Sequence, residues 1–129
     1  SVSCVTNDQN QIMLGYNDSI DSDTNIYENF EISINNFKKI HNGPILVAHS
    51  DIKTTGKAIK TARENFDGVI GAYPNKGYYE KPHWRFIDDM TPDDYLNEVK
   101  NWVKDGAQII GGCCGIGVDE IKAISILKN

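Results

Sequence analysis

Apolar positions along the chain alternate between two spacings. Residues 1–6 are short and rich in β-formers, a predicted strand. Residues 7–25 are polar and turn-rich, a predicted loop. From residue 25 to about 41, Ile26, Phe30, Ile34, Phe37 and Ile40 recur at steps of four and three, the period of an amphipathic helix. Gly43-Pro44 closes it. Residues 45–48 form a continuous apolar run, as a parallel strand covered on both faces requires. Ile59, Ala62 and Phe66 mark a second helix from about residue 53 to 66, with Gly68 as its C-cap. Residues 68–73 predict another buried strand, and 74–90 a loop rich in Gly, Pro and aromatics. Thr91-Pro92-Asp93-Asp94 opens a third helix: Thr caps it, Pro fits the first turn, and the acids face the positive end of the dipole. Tyr95, Val99, Trp102 and Val103 line that helix and Gly106 ends it. Residues 107–112 predict a fourth strand. Residues 118 to about 128 predict a fourth helix, with Ile121, Ile124 and Leu127 at steps of three.

The pattern is therefore strand–helix four times, an α/β chain with parallel strands and right-handed crossovers. Such a chain forms a small open sheet or half of an eight-stranded barrel. In a barrel, chemistry sits on the loops at the C-terminal strand ends. His49-Ser50, Tyr73-Pro74-Asn75 and Cys113-Cys114 all fall there. Residues 1–129 read as one such unit.

Charge and composition narrow the partners. A net charge of -5 and a pI near 5.0 argue against nucleic acid or an anionic membrane surface, both of which need a cationic face. No run approaches the roughly 18 apolar residues of a membrane span. The first ten residues lack the basic start of a signal peptide, and the opening at Ser1, directly in a strand, points to a fragment or a processed chain. Three cysteines make no disulfide framework, so a reducing cytoplasm is expected.

Gly111-Gly112-Cys113-Cys114-Gly115 is the strongest chemical signal. Flanking glycines let the backbone turn and expose two thiols, and two adjacent thiolates can share one zinc. The plain alternative is a pair of small buried residues at a strand end. His49, after its apolar strand, would complete a three-ligand site with an open fourth position, the form catalytic zinc takes. On residue type alone the favoured reading is a hydrogen-bonded rim histidine with no metal. His41, at a helix end, and His83, in the long loop, are weaker candidates. Asn75 at the rim can orient a polar substrate, although Pro-Asn-Lys-Gly is also an ordinary turn. Trp84, Tyr78 and Tyr79 could cover the site or simply pack their loop. Asp88, Asp89, Asp93 and Asp94 read as loop and helix-start chemistry.

Residues 106–115, followed by Glu120-Ile121-Lys122-Ala123-Ile124, resemble the last strand and helix of the homocysteine S-methyltransferase family. Gly71-Ala72-Tyr73-Pro74-Asn75-Lys76-Gly77, Trp84 and the Thr91-Pro92 helix with Trp102 are similar to the preceding unit. Met13-Leu14-Gly15 is similar to the segment after the fifth strand. The resemblance covers nearly the whole chain. It implies the C-terminal half, strands five to eight, of a (β/α)8 barrel. It also implies a zinc site containing Cys113 and Cys114, and substrate contacts from Tyr73 and Asn75. The family's third cysteine, usually in Asn-Cys, is here His49 in Ala48-His49-Ser50. Ile116, Val118 and Glu120 stand where the family usually has Thr, Pro and His.

The implied reaction is methyl transfer from a sulfonium or quaternary ammonium donor to zinc-held homocysteine thiolate, giving methionine. Betaine, S-methylmethionine, dimethylsulfoniopropionate and S-adenosylmethionine serve as donors among relatives. Four strand–helix units leave two open sheet edges, through which the chain would associate. The competing expectations are a metal-free half-barrel interaction module and a redox protein using the vicinal thiols. The second lacks a Cys-x-x-Cys pattern.

Overall fold

A computed structural model describes residues 1–15, 26–80, 82–86 and 90–128, with the side chains of 14, 15, 26 and 78–80 left out of the description. Its elements run β1 (Val2–Cys4), β2 (Gln11–Gly15), β3 (Ile26–Asn29), α1 (Phe30–Ile40), β4 (Ile45–Asp51), α2 (Ile52–Asn65), β5 (Ile70–Asn75), β6 (Gly77–Glu80), β7 (His83–Phe86), α3 (Pro92–Lys104), β8 (Ile109–Ile110) and α4 (Val118–Ile124), followed by a 3-10 turn, Ser125–Leu127. The main sheet has the order β1-β4-β5-β8, and each adjacent pair is parallel. Helices alternate with these strands, as in half of a β/α barrel.

Register shows which face the helices cover. Cys4, Val47 and Ala72 lie side by side across three strands and are all buried. One step back, Ser3, Leu46, Gly71 and Ile109 form the neighbouring row on the opposite face. There Ser3 and Ile109 are exposed. The core on the covered face joins Ile45, Val47 and Ile70 to Phe30, Ile34, Ile59, Val99 and Trp102. Each large apolar side chain buried there stabilises the fold by about 1.5–3 kcal/mol.

Several boundaries differ from the sequence expectation. The segment 7–25 is not all loop: β2 pairs antiparallel with β3, while residues 16–25 lie outside the described residues. Accordingly α1 starts at Phe30, not residue 25. Asn29 caps it, its side chain accepting from Ile32 N–H at 3.2 Å, and Ile26 belongs to the strand pair although its spacing to Phe30 is helical. Strand β4 runs three residues beyond Ala48 and passes straight into α2, because Asp51 both ends the strand and caps the helix, accepting from Lys53 N–H at 2.7 Å.

Gly68 is not a C-cap. The chain leaves α2 through extended Phe66 (φ -146°), and a side chain at Gly68 would strike the Phe66 ring. The segment 74–90 contains a hairpin, β6 with β7; its residues 81 and 87–89 lie outside the described residues. The fourth strand shrinks to Ile109–Ile110, since beyond it the chain bonds to β5 in an irregular path. Thr91 caps α3 as expected, and Asp94 completes a capping box with it; Gly106 sits at φ 106° after α3. Val103 and Ile121 are 45% and 42% exposed, so neither is core. Among the described residues no helix is long and apolar enough to cross a membrane.

Candidate metal centre

His49 owes its position to a β-bulge. Ala48 pairs with Tyr73 and Asp51 with Asn75, so β4 carries one extra residue where the register shifts. Bulges re-aim side chains and recur beside active sites. His49 takes φ 50°, a left-handed backbone that costs a non-glycine residue about 1–2 kcal/mol. Ser50 braces the distortion. Its buried Oγ donates to Ala48 O at 3.0 Å and accepts from Thr6 N–H at 2.8 Å and Thr6 Oγ1 at 3.0 Å. That uses the hydroxyl's one donor and both its lone pairs.

The cysteine segment is laid along the end of β5. Gly111 N–H donates to Ala72 O at 2.9 Å, Cys113 N–H to Pro74 O at 2.9 Å, and Lys76 N–H to Cys114 O at 2.7 Å. Pro74 has no N–H to offer, but its carbonyl serves this bond. Gly115 then turns with φ 81°, where a Cβ would collide with the Lys76 carbonyl and the Phe86 ring. Glycine alone suits that turn. Beneath it, Lys76 Nζ meets Glu120 Oε1 at 3.0 Å, with both side chains mostly buried. Glu120 Oε2 also accepts from Gly117 N–H at 2.9 Å.

These elements bring His49, Cys113 and Cys114 together. Their ligand atoms all lie within 4.8 Å of one another, the one such group of three among the described residues. His49 Nδ1 is 3.1 Å from Cys113 Sγ, and the two sulfurs are 3.9 Å apart. His49 is exposed and both cysteines are half-buried. All three cysteines are free. Burial pushes the Cys113 thiol above its ordinary value. The backbone N–H of Cys114 opposes this, while the Cys114 sulfur, by hydrogen bond and by charge, adds to it.

The other expected residues fall around the cluster. Asn75 is buried and bonded to two of its members, through His49 O and Cys114 N–H. Tyr73 meets the His49 ring edge-on at 5.8 Å, and its hydroxyl donates to Ser3 Oγ at 2.8 Å. Cys4 lies in the core, its thiol pushed up to about 12 by burial. His41 caps α1 and His83 stands exposed on β7, both outside the cluster. Trp84 stacks on Phe86 at 6.4 Å, and the side chains of Tyr78 and Tyr79 lie outside the described ones. Asp93 and Asp94 occupy the first turn of α3; Asp88 and Asp89 lie outside the described residues.

This grouping of strand-end residues meets an independent line of evidence, for the homocysteine S-methyltransferase family model matches residues 17–127. The chain belongs to the homocysteine S-methyltransferase family. It is similar to homocysteine S-methyltransferase 3 and homocysteine S-methyltransferase 2 of Zea mays, each 38% identical over 74 residues, 55% of this chain and 22% of the relative. It is also similar to the selenocysteine methyltransferase of Astragalus bisulcatus, 34% identical over 58 residues, 43% of this chain and 17% of that protein. The matched stretches thus span about a fifth of these relatives.

In this family member, three features of the site had no reading in sequence. The bulge arises from pairing with β5 and has no local signature beyond a small polar Ser50 after an apolar run. The two hydrogen bonds of the Asn75 side chain and the Lys76–Glu120 pair join residues 26 to 44 positions apart.

Proposed function

We propose that this chain carries the thiol-activating rim of a homocysteine S-methyltransferase, with His49, Cys113 and Cys114 as the protein ligands of a zinc ion. The observation that carries the reading is the convergence of one imidazole nitrogen and two sulfurs, all within 4.8 Å. One nitrogen and two sulfurs suit zinc, and three protein ligands leave a fourth position for substrate. When bound, zinc supplies positive charge that keeps an acceptor thiol deprotonated near neutral pH.

The chain's own residues hold and orient. His49 sits on the exposed rim, where an acceptor can reach it. Tyr73 and Asn75 stand beside it to meet the polar groups of homocysteine. Asn75 retains a second N–H and a second lone pair after its two backbone bonds. In the transfer, the homocysteine thiolate sulfur forms the new S–CH3 bond as the methyl group's bond to the donor breaks. The bonding pair stays on the donor's sulfonium sulfur or ammonium nitrogen, which leaves neutral, and the acceptor becomes methionine. A reducing cytoplasm would keep both thiols free.

Zinc content of the purified full chain tests the reading, beside Cys113→Ser and His49→Ala. One zinc per chain, lost in both variants, supports a Cys2His site. Zinc lost only with Cys113→Ser removes His49 from the ligand set. A second reading, a metal-free half-barrel interaction module, draws on the 3.1 Å contact that already pairs His49 with Cys113 and on β1 and β8, the outermost strands of the sheet among the described residues. A folded, zinc-free protein that self-associates would favour it.

A further inference from the structure

Asn75 closes β5 and is 7% exposed. Its carboxamide is engaged at both ends. Nδ2 donates to the His49 carbonyl at 3.0 Å, and Oδ1 accepts from Cys114 N–H at 3.2 Å. One partner can only accept and the other can only donate, so their chemistry dictates which way the amide faces. Both partners lie in irregular backbone: His49 at φ 50° in the bulge, Cys114 just before Gly115 at φ 81°. Beside the backbone bonds that Cys113 and Cys114 make to the end of β5, the His49 carbonyl and the Cys114 N–H are met by this one side chain.

We propose that Asn75 is a positioning residue whose one carboxamide ties the His49 segment to the Cys113–Cys114 segment and thereby sets the spacing of the three donor atoms. Few replacements would serve. Asp offers no donor near neutral pH, and Gln moves the amide by a methylene. Groups that orient metal ligands from behind typically matter by about 10–100-fold in affinity. That part of the proposal rests on the zinc reading above; the spacing itself does not.

The test uses the full chain as wild type, Asn75→Ala and Asn75→Asp. NMR of the metal-free protein reads exchange of the Cys114 amide and the nitrogen shifts of the His49 ring. Chelator competition reads zinc affinity. Asn75→Ala should speed Cys114 exchange roughly tenfold or more and alter the His49 ring signals. The Gly111 amide, bonded to Ala72, should keep its protection. Zinc should bind about 10–100-fold more weakly. Asn75→Asp should keep Cys114 slow, since its carboxylate still accepts, yet match the alanine variant at His49. If Asn75→Ala loses protection everywhere, the aspartate variant alone decides.

Unchanged signals at both positions would overturn the proposal. So would faster Cys114 exchange with zinc affinity intact. NMR changes as expected in a chain that binds no zinc even as wild type would uphold the positioning role and sink the zinc reading, so the two failures are distinct.

Discussion

Cys113 Sγ lies 3.1 Å from His49 Nδ1, across 64 residues of sequence. Neither residue reaches the other by regular structure. His49 projects from a bulge that shifts the β4 register against β5. Cys113 projects from a segment that has left β8 and bonds to Pro74. The contact is therefore a product of two local distortions, and each has its own brace. Loosening either brace should move the site without touching a ligand.

Ser50 is the brace on the histidine side. Ser50→Ala removes three buried hydrogen bonds and leaves Thr6 N–H and its hydroxyl without their acceptor. Leaving a buried polar group unpaired costs about 1–3 kcal/mol. The expected result is a loss in that range by urea denaturation, with weakened zinc binding. A variant as stable as wild type would mean that water takes over the serine's bonds.

Gly115 braces the cysteine side. At φ 81° an alanine is strained by about 1–2 kcal/mol, and its Cβ would press on the Lys76 carbonyl and the Phe86 ring. Because Lys76 N–H bonds to Cys114 O at 2.7 Å, relief of that clash displaces a ligand. Gly115→Ala should lower stability by about 2 kcal/mol or more and reduce zinc affinity. Thermal unfolding with and without zinc measures both. A full zinc complement at wild-type affinity would show that the turn tolerates the side chain.

Sequence patterns reported residue types and strand ends well, and backbone geometry poorly. The apolar run before His49, the double cysteine between glycines and the Asn after Tyr73-Pro74 each marked a strand end that the structure gathers into one group. Residue patterning also located the sheet's four strands and the four helices, with boundaries off by up to five residues, as at the start of α1. The β2–β3 pair escaped because Ile26 and Phe30 share a helical spacing, and only pairing with Gln11–Gly15 decides for strand. The β6–β7 hairpin left one overlooked trace, the alternation His83-Trp84-Arg85-Phe86. Bulge, latch and ion pair depend on contacts distant in sequence, where period and propensity carry no information.

Glu120 introduces a pH dependence. Burial acts to raise its pKa. Hydrogen bonds from Lys76 and from the backbone N–H groups of Glu120 and Gly117, with the Lys76 charge, outweigh that and hold the carboxyl below its ordinary value. A depressed pKa means that the folded protein takes up this proton less readily than the unfolded chain. The stabilisation is thus complete above the ordinary glutamate pKa of about 4.3 and fades as pH falls through the folded value. With side chains only 13% and 10% exposed, removing one partner should cost about 3 kcal/mol near neutral pH. Glu120→Gln should show that loss, and its gap to wild type should narrow as pH falls below the ordinary glutamate value of about 4.3. A gap independent of pH would show that the carboxylate charge is not the stabilising feature.

Tyr95 links the core to the cysteine segment. Its ring is fully buried and meets Trp102 edge-on at 5.9 Å, while its hydroxyl donates to the Gly111 carbonyl at 2.6 Å. Burial and the nearby Glu120 charge both push the phenol's pKa up, so it remains a donor at physiological pH. Tyr95→Phe keeps the ring and deletes only that bond. The net loss should be about 1 kcal/mol, against about 3–5 kcal/mol for Trp102→Ala, which opens a cavity. The two should separate at the site as well. Gly111 lies two residues before Cys113, so the smaller lesion should weaken zinc binding more per unit of lost stability. Urea midpoints set beside zinc affinities for both variants would decide. Equal zinc affinity in Tyr95→Phe and wild type would mean that the backbone bonds to β5 hold the approach to the cysteines without the tyrosine hydroxyl.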